Sequence, residues 1–395
     1  MTARAAKPRA TRRPRRPAAA PLQAPAVATP VAAAAATGGC GAWAGPPRFL
    51  FVQANQRCNL RCGHCAFWRR DDKDRANYLS AARQREIFEE FAQLNPRGGV
   101  VICGGEPMLD LEEYFFMARE CRRLGLKGIS VVNGTRIRSA ATAERMIAEG
   151  PHEISISLNS HDPEVHDRTR GVKGAFDKAV RALRLLLEAR RKAPGSTTRI
   201  YVMGLIFDEN WRDLEVFYDF VLNDLGADKL KLNFLQPSFG EDGEVDAFFR
   251  DRHSVDPDGV VAVIARCDER FGLGLNPVWL GQVGMYFRSL ARARDLDRGW
   301  RAGAATEEHI CDTYERNIMV DQYGFARLCF SGVYRGERLE APGDLRRFWY
   351  GAGDVRAAMR GCNRVCGISH SVRREASTLA GELEKRWALL AAPGG

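Results

Sequence analysis

The sequence lacks any uninterrupted apolar stretch of about 18 residues or more, the length that a membrane-spanning helix needs. It also lacks a good export signal. RRPRRP resembles the start of a twin-arginine signal, but Pro21, Pro25 and Pro30 interrupt the apolar segment that should follow. We therefore expect no contact with a membrane and a cytoplasmic location, with export as the alternative.

Beyond its first residues the chain lacks a large excess of charge. The formal net charge is +10, but seven Lys and Arg residues and no acid precede residue 17, which leaves +3 for the rest. No basic surface interleaved with aromatic residues is readable in the folded part, so a nucleic-acid partner is not expected. Ala and Pro continue the tail, and residues 1–46 are predicted to be disordered.

From Phe49 onward, short apolar segments alternate with amphipathic ones. The predicted strands are 48–54, 99–105, 128–134, 153–159, 199–207 and 229–235. The predicted helices between them are about 80–94, 110–123, 138–149, 174–192 and 210–224. This alternation predicts an α/β fold with a parallel sheet, a partial (β/α)6 TIM-type barrel, and leaves an open doubly wound sheet as the alternative. In both, a site forms at the C-terminal ends of the strands.

The loop after the first predicted strand, QRCNLRCGHCAFW, carries three cysteines and lacks a fourth. Cys58, Cys62 and Cys65 have the spacing C-x3-C-x2-C. Four-thiolate zinc sites and ordinary iron–sulfur clusters use four protein ligands. Three thiolates can hold three irons of a [4Fe–4S] cube and leave its fourth iron open. A zinc site completed by His64 is the alternative.

One strand later the sequence reads GGEP, at residues 104–107. Together with the three-cysteine loop, this motif resembles the radical S-adenosylmethionine (SAM) superfamily. The resemblance implies that the open iron binds the methionine part of SAM. Reductive cleavage then gives a 5′-deoxyadenosyl radical that abstracts a substrate hydrogen atom. It also implies an external electron donor such as flavodoxin or ferredoxin.

The same resemblance implies SAM-binding roles for residues at the strand ends. Gly104 and Gly105 would let the backbone approach SAM closely, and Glu106 matches the acid of the motif. The other implied SAM contacts are His64, Phe67, Asn133, Ser157, Asn159 and Arg170. For the last three, turn caps and a surface ion pair are the alternatives. The sequence identifies no catalytic acid or base.

A second group of cysteines lies near the C-terminus. Its members, Cys311, Cys329, Cys362 and Cys366, read C-x12-G-x4-C followed by C-x3-C. This pattern resembles the SPASM/twitch extension of radical SAM enzymes in its shorter form. The resemblance implies one auxiliary [4Fe–4S] cluster, fully ligated by protein and suited to electron transfer. A four-cysteine zinc site is the alternative.

These features divide the chain into five predicted segments. They are a tail (1–46), a core barrel (47–236), a connecting segment over the barrel mouth (237–307), an auxiliary-cluster module (308–371), and a C-terminal helix with a tail (372–395). The module is expected to contain a hairpin around VDQYGFARLCF. The cysteines outside both groups are expected to be packed core residues, apart from Cys40 in the tail.

Two enzyme functions compete at this point. One is maturation of a ribosomally made peptide by crosslinking, epimerisation or oxidation. The other is oxidation or rearrangement of a small natural-product intermediate, such as an aminoglycoside-like alcohol. A non-catalytic iron–sulfur or zinc scaffold is a third hypothesis. The peptide substrate is preferred because peptide maturation is the larger occupation of the SPASM/twitch group.

Overall fold

The computed structural model describes residues 45–69, 75–234, 254–296, 313–330 and 336–360. The predicted tail, apart from its last two residues, and the predicted C-terminal helix lie outside these ranges. Among the described helices, none combines the length and the apolar character needed to span a bilayer.

Six strands succeed one another along the chain, with helices between them. The strands are β1 (Phe49–Gln53), β2 (Gly99–Cys103), β3 (Lys127–Val132), β4 (Glu153–Ser157), β5 (Arg199–Ile206) and β6 (Lys229–Phe234). The helices are α1 (Ala81–Leu94), α2 (Leu111–Arg123), α3 (Ala140–Glu149), α4 (Pro163–Arg170), α5 (Ala175–Arg191) and α6 (Leu214–Asp219). Each strand pairs in parallel with the next, in the order β6-β5-β4-β3-β2-β1. The predicted α/β fold, a partial TIM-type barrel, is confirmed.

The strands alternate between two environments. On β5, Ile200 and Val202 are buried beneath the helices, whereas Tyr201 and Met203 are half-buried on the face that lines the barrel. The burial of β3 and β6 alternates in the same way. Because all six strands run in one direction, their C-terminal ends share one rim. That rim carries the cysteine loop, GGEP and the segments that follow β3 and β4.

The hairpin predicted around VDQYGFARLCF is present and continues the sheet of the barrel. β7 (Asn317–Val320) pairs in parallel with β1, and β8 (Phe325–Arg327) and β9 (Glu337–Arg338) follow it antiparallel. Gly324, with φ of +88°, forms the turn between β7 and β8. The parallel pairing with β1 was not predicted from the sequence.

Two helical regions differ from the sequence predictions. The predicted helix at 210–224 consists of a 3-10 turn (Trp211–Asp213), α6, and a π-helical turn (Phe220–Asp224). Beyond β6 the chain forms α7 (Pro257–Phe271) and α8 (Pro277–Leu296), and α8 was not predicted. Its apolar residues occur almost all round the helix and give no amphipathic period.

The C-terminal part of the described chain is tied to α1. This part contains α9 (Asp344–Gly351) and α10 (Gly353–Arg360). Buried Glu90 on α1 accepts a hydrogen bond from the N–H of Leu345, at 3.0 Å. Arg83 on the same helix donates to the carbonyl of Ala341, at 2.6 Å. A buried carboxylate thus satisfies an amide at the N-terminus of α9 that has no partner within its own helix.

Replacing Glu90 with Ala tests this tie. Loss of the carboxylate leaves the Leu345 amide buried without its acceptor, so we expect Glu90→Ala to lower the free energy of unfolding by about 1–3 kcal/mol. Chemical denaturation measures the change. Glu89→Ala is the control, because Glu89 makes only an exposed contact with Arg123 within the described part of the chain, which should contribute about 1 kcal/mol or less. Equal losses in both variants would contradict the role of Glu90.

Candidate active site

The three cysteines of the loop after β1 lie together at the rim. Cys58 and Cys65 pack against a small buried cluster formed by Cys62, Leu60 and Ala175, the first residue of α5. Burial, together with the neighbouring thiols of Cys62 and Cys65, raises the pKa of the Cys58 thiol to about 12, against a hydrogen bond from the backbone of Leu60. Without a metal, this loop therefore holds Cys58 as a neutral thiol.

GGEP meets the cysteine loop at very close range. A Cβ added at Gly104 would lie 2.6 Å from the carbonyl oxygen of Asn55, and one at Gly105 would lie 2.0 Å from that of Arg57. Gly104 also has φ of +126°, a conformation that disfavours other residues. From the sequence, these glycines are expected to let SAM approach the backbone. The structure adds a second reason, because the backbone of the cysteine loop occupies the space of both missing side chains.

Glu106 links this turn to the next strand. Its carboxylate is buried and accepts hydrogen bonds from the N–H of Met108 at 3.1 Å and from the N–H of Asn133 at 2.7 Å. Burial raises the pKa of the carboxyl to about 7, although these two N–H groups favour the ionised form. Glu106 thus holds the ends of β2 and β3 together.

Asn133 carries the connection back to the cysteines. Its side-chain amide donates to Asn59 at 2.9 Å and lies 3.9 Å from the Cys58 sulfur. Its oxygen accepts from the N–H and hydroxyl of Thr135, and Asn59 donates to the same hydroxyl at 2.7 Å. Sequence reasoning missed Asn59 and Thr135. In the sequence, only their positions next to predicted site residues, in CNLRC and NGT, could have indicated them.

Arg170 is buried beside the second cysteine. Its guanidinium lies 3.8 Å from the Cys62 sulfur and donates to the side chain of Asn159 at 3.2 Å, while its buried Nε has no hydrogen-bond partner among the described residues. The surface ion pair considered from the sequence does not occur among those residues. Asn159 is also fully buried, and its amide donates to Thr169 at 3.0 Å.

Two histidines flank Arg170. Burial, together with the positive charge of Arg170, lowers the pKa of His64 to about 3 and that of His166 to about 2. Both imidazoles are therefore neutral at physiological pH. His166 accepts a hydrogen bond from the N–H of Asn159 at 3.1 Å.

The remaining predicted residues occupy simpler positions. Phe67 begins a 3-10 turn (Phe67–Arg69) after the cysteines, and Ser157 ends β4, half-buried and opposite Met203. Cys121 and Cys267 are core residues, as expected. Cys103 ends β2, where burial raises its pKa to about 12.

Of the second cysteine group, only one member lies in the described part of the chain. Cys329 follows β8 and is half-buried against the core. Cys311, Cys362 and Cys366 lie outside the described residues.

The donors around the loop fit an iron–sulfur cluster. No group of three or more His, Cys, Asp or Glu side chains within the described ranges is arranged to hold a single metal ion. A [4Fe–4S] cube instead takes one ligand for each of its four irons, and the loop supplies three thiolates. Asn133 and Arg170 direct N–H groups toward two of the sulfurs, the kind of contact that tunes metal-bound thiolates.

Residues 52–221 match the family model of the Radical SAM superfamily. This segment of the chain is a radical SAM domain. The match begins within β1 and ends after α6, so it contains the cysteine loop and strands β2 to β5 of the barrel.

Curated relatives of the chain act in different pathways. The AdoMet-dependent heme synthase of Methanosarcina barkeri is 28% identical over 143 residues, 36% of this chain and 40% of that protein. The antilisterial bacteriocin subtilosin biosynthesis protein AlbA of Bacillus subtilis is 27% identical over 221 residues, 53% of this chain and 42% of that protein. The matches therefore span about two fifths of these relatives.

Solved structures share the fold over more of the chain. Streptococcus suis SuiB bound to precursor peptide SuiA has a TM-score of 0.57 and 15% identity, covering 84% of this chain and 76% of SuiB. SuiB bound to S-adenosylmethionine has a TM-score of 0.55 with the same identity, covering 84% of this chain and 77% of SuiB. At this identity the likeness concerns the fold.

The buried carboxyl of Glu106 predicts a pH dependence of stability. Its pKa rises on folding from 4.5 to about 7, so protonation of Glu106 stabilises the folded protein fully below pH 4.5. This stabilisation is lost as the pH rises through 7. Relative to Glu106→Gln, the free energy of unfolding of the metal-free protein should fall by up to about 3 kcal/mol from about pH 5 to pH 8. Urea denaturation measures both proteins. A difference that does not change with pH would contradict this titration.

Proposed function

We propose that this chain is a cytoplasmic radical SAM enzyme of the SPASM/twitch type. In this proposal Cys58, Cys62 and Cys65 hold a [4Fe–4S] cluster whose fourth iron binds SAM. The observation that carries the proposal is the meeting of three thiols at the C-terminal rim of a partial barrel, with buried N–H donors of Asn133 and Arg170 directed at two of them.

When bound and reduced, the cluster would supply the one electron that cleaves SAM into methionine and the 5′-deoxyadenosyl radical. The residues of the chain would hold the cluster and orient SAM. GGEP fixes the cysteine loop against β2, and Glu106 fixes the start of the segment after β3. The remaining N–H of Arg170 has no partner among the described residues and suits the carboxylate of SAM.

The other SAM contacts are proposed from their places on the same rim. Asn133, Ser157 and Asn159 lie at the ends of β3 and β4 and would contact the ribose or the carboxylate. His64 and Phe67 lie within or just after the cysteine loop and would flank the adenine. A neutral His64 suits this role, because an uncharged ring can lie against adenine without desolvating a charge.

The second cysteine group is proposed to hold an auxiliary [4Fe–4S] cluster for electron transfer. Its ligands would be Cys311, Cys329, Cys362 and Cys366. Cys329 stands directly after β8, in a hairpin that continues the barrel's sheet beside β1. β1, which leads into the cysteine loop, therefore lies beside β7, and β7 and β8 lead to Cys329.

The preferred substrate is a ribosomally made peptide. Two of the similar proteins support this choice, since one is a bacteriocin biosynthesis protein and the other was solved with a precursor peptide. A small-molecule substrate is the second candidate, and the likeness to the heme synthases favours it.

Anaerobic reconstitution tests the SAM chemistry. With dithionite and SAM, the wild-type protein should form 5′-deoxyadenosine and contain about eight irons, four for each cube. Cys62→Ala should abolish cleavage, whereas Cys121→Ala should retain it because Cys121 packs in the core. Cys329→Ala should keep cleavage and lose about four irons. Absence of 5′-deoxyadenosine from the reconstituted wild type would refute the proposed activity.

Mass spectrometry distinguishes the two substrate classes. The substrate would be a small precursor peptide encoded beside this gene, incubated with the reconstituted enzyme, SAM and dithionite. A peptide substrate predicts a mass change that the Cys62→Ala variant does not produce. An unchanged peptide, with 5′-deoxyadenosine still formed, would favour the small molecule.

A further inference from the structure

The positive charge of the folded chain is concentrated on one helix. Between Lys173 and Lys192 there are seven Lys or Arg residues and two acids, which leaves +5. All residues after 16 together carry only +3, so the rest of the folded chain is slightly acidic. This segment consists of α5, the two residues before it and Lys192 after it.

The cations of the segment fall into two groups. At the end of the segment that is far from the cysteine loop, Arg190 pairs with Asp228, and Arg191 and Lys192 pair with Glu188. At the near end, four exposed cations make no ion pair with an acid among the described residues. We call these four the basic face of α5: Lys173, Lys178, Arg181 and Arg184. The last three are spaced three residues apart, so they are neighbours on the helix surface.

This near end contacts the cysteine loop. Ala175 packs directly against Cys62, and a Cβ added at the preceding Gly171 would lie 2.2 Å from the carbonyl oxygen of Arg61. At 1.5 Å per residue, Lys178 and Arg184 stand roughly 5 Å and 14 Å along the helix axis from Ala175. The exposed Arg61 extends the positive surface onto the loop itself.

A groove of about 680 Å³ runs along the same helix. Its apolar lining is Val180, Leu185, Leu187 and Leu225, and its charged lining is Arg181, Arg184 and Arg191 with the acids Asp177 and Glu188. Apolar surface beside unpaired cations is a common composition for a transient protein interface.

We propose that the basic face of α5 docks an acidic one-electron carrier of the flavodoxin or ferredoxin class. This inference rests on the proposed function and deepens it by naming the surface through which the SAM-binding cluster is reduced. One electron leaves the reduced carrier and enters the cluster at the Cys62 side, and no bond forms or breaks. An acidic carrier matches the sign of the surface, and steering by charge speeds its encounter.

Charge reversal on this face tests the proposal in the reconstituted holoenzyme. The test variant carries Lys178→Glu and Arg184→Glu, neither of which touches the cysteines. The control carries Arg199→Glu and Lys229→Glu, which change the net charge equally at the amino-terminal ends of β5 and β6, on the opposite end of the barrel. The probe is a purified bacterial flavodoxin, used reduced for SAM cleavage and oxidised for binding titrations.

We expect the test variant to lose flavodoxin-driven cleavage by about tenfold or more at low salt, with a similar rise in Kd for flavodoxin. Cleavage driven by dithionite should be unchanged, and the control variant should behave as wild type in all assays. Equal losses in both variants, or no loss in the test variant, would overturn the docking surface. Failure of dithionite-driven cleavage in the wild type would instead overturn the proposed function.

Discussion

The site depends on the contact between the backbone of the cysteine loop and the turn after β2. Gly105 leaves no room for a side chain beside the carbonyl of Arg57, and the N–H of Glu106 donates to that same carbonyl at 2.6 Å. The side chain of Asn55 returns a hydrogen bond to the carbonyl of Glu106 at 3.1 Å. Since a loop of this kind has no regular structure of its own, these contacts determine where its three thiols lie.

From this contact, two polar networks reach the cysteines from opposite sides. On one side Glu106 holds the backbone of Asn133, whose amide approaches Cys58. On the other, Asn159 holds the guanidinium of Arg170 beside Cys62. Burial raises the pKa of Glu106, and burial together with the charge of Arg170 lowers the pKa values of His64 and His166. A buried polar network of this kind favours one arrangement of its members, because any rearrangement leaves a polar group unsatisfied.

The barrel strands were predictable because each carries its own local pattern, and the predicted limits of 99–105 and 153–159 fall within two residues of β2 and β4. The three cysteines and GGEP were predictable because their spacing is specific. Contacts between segments that are distant in the sequence were not predictable. Nothing in residues 317–320 indicates that β7 pairs with β1, and Arg170 reaches Cys62 across 108 positions of sequence. The steric reason for Gly105 likewise lies in a carbonyl 48 residues away.

The central claim is that the three thiols of the loop hold a cube whose fourth iron binds SAM. Electron paramagnetic resonance of the reduced cluster, with SAM labelled with ¹⁵N at the methionine amino group, tests it directly. The Cys329→Ala variant restricts the signal to this cluster. We expect a ¹⁵N hyperfine coupling to the cluster, which a ¹⁴N coupling replaces when unlabelled SAM is used. A reduced cluster whose spectrum does not respond to SAM would contradict the claim.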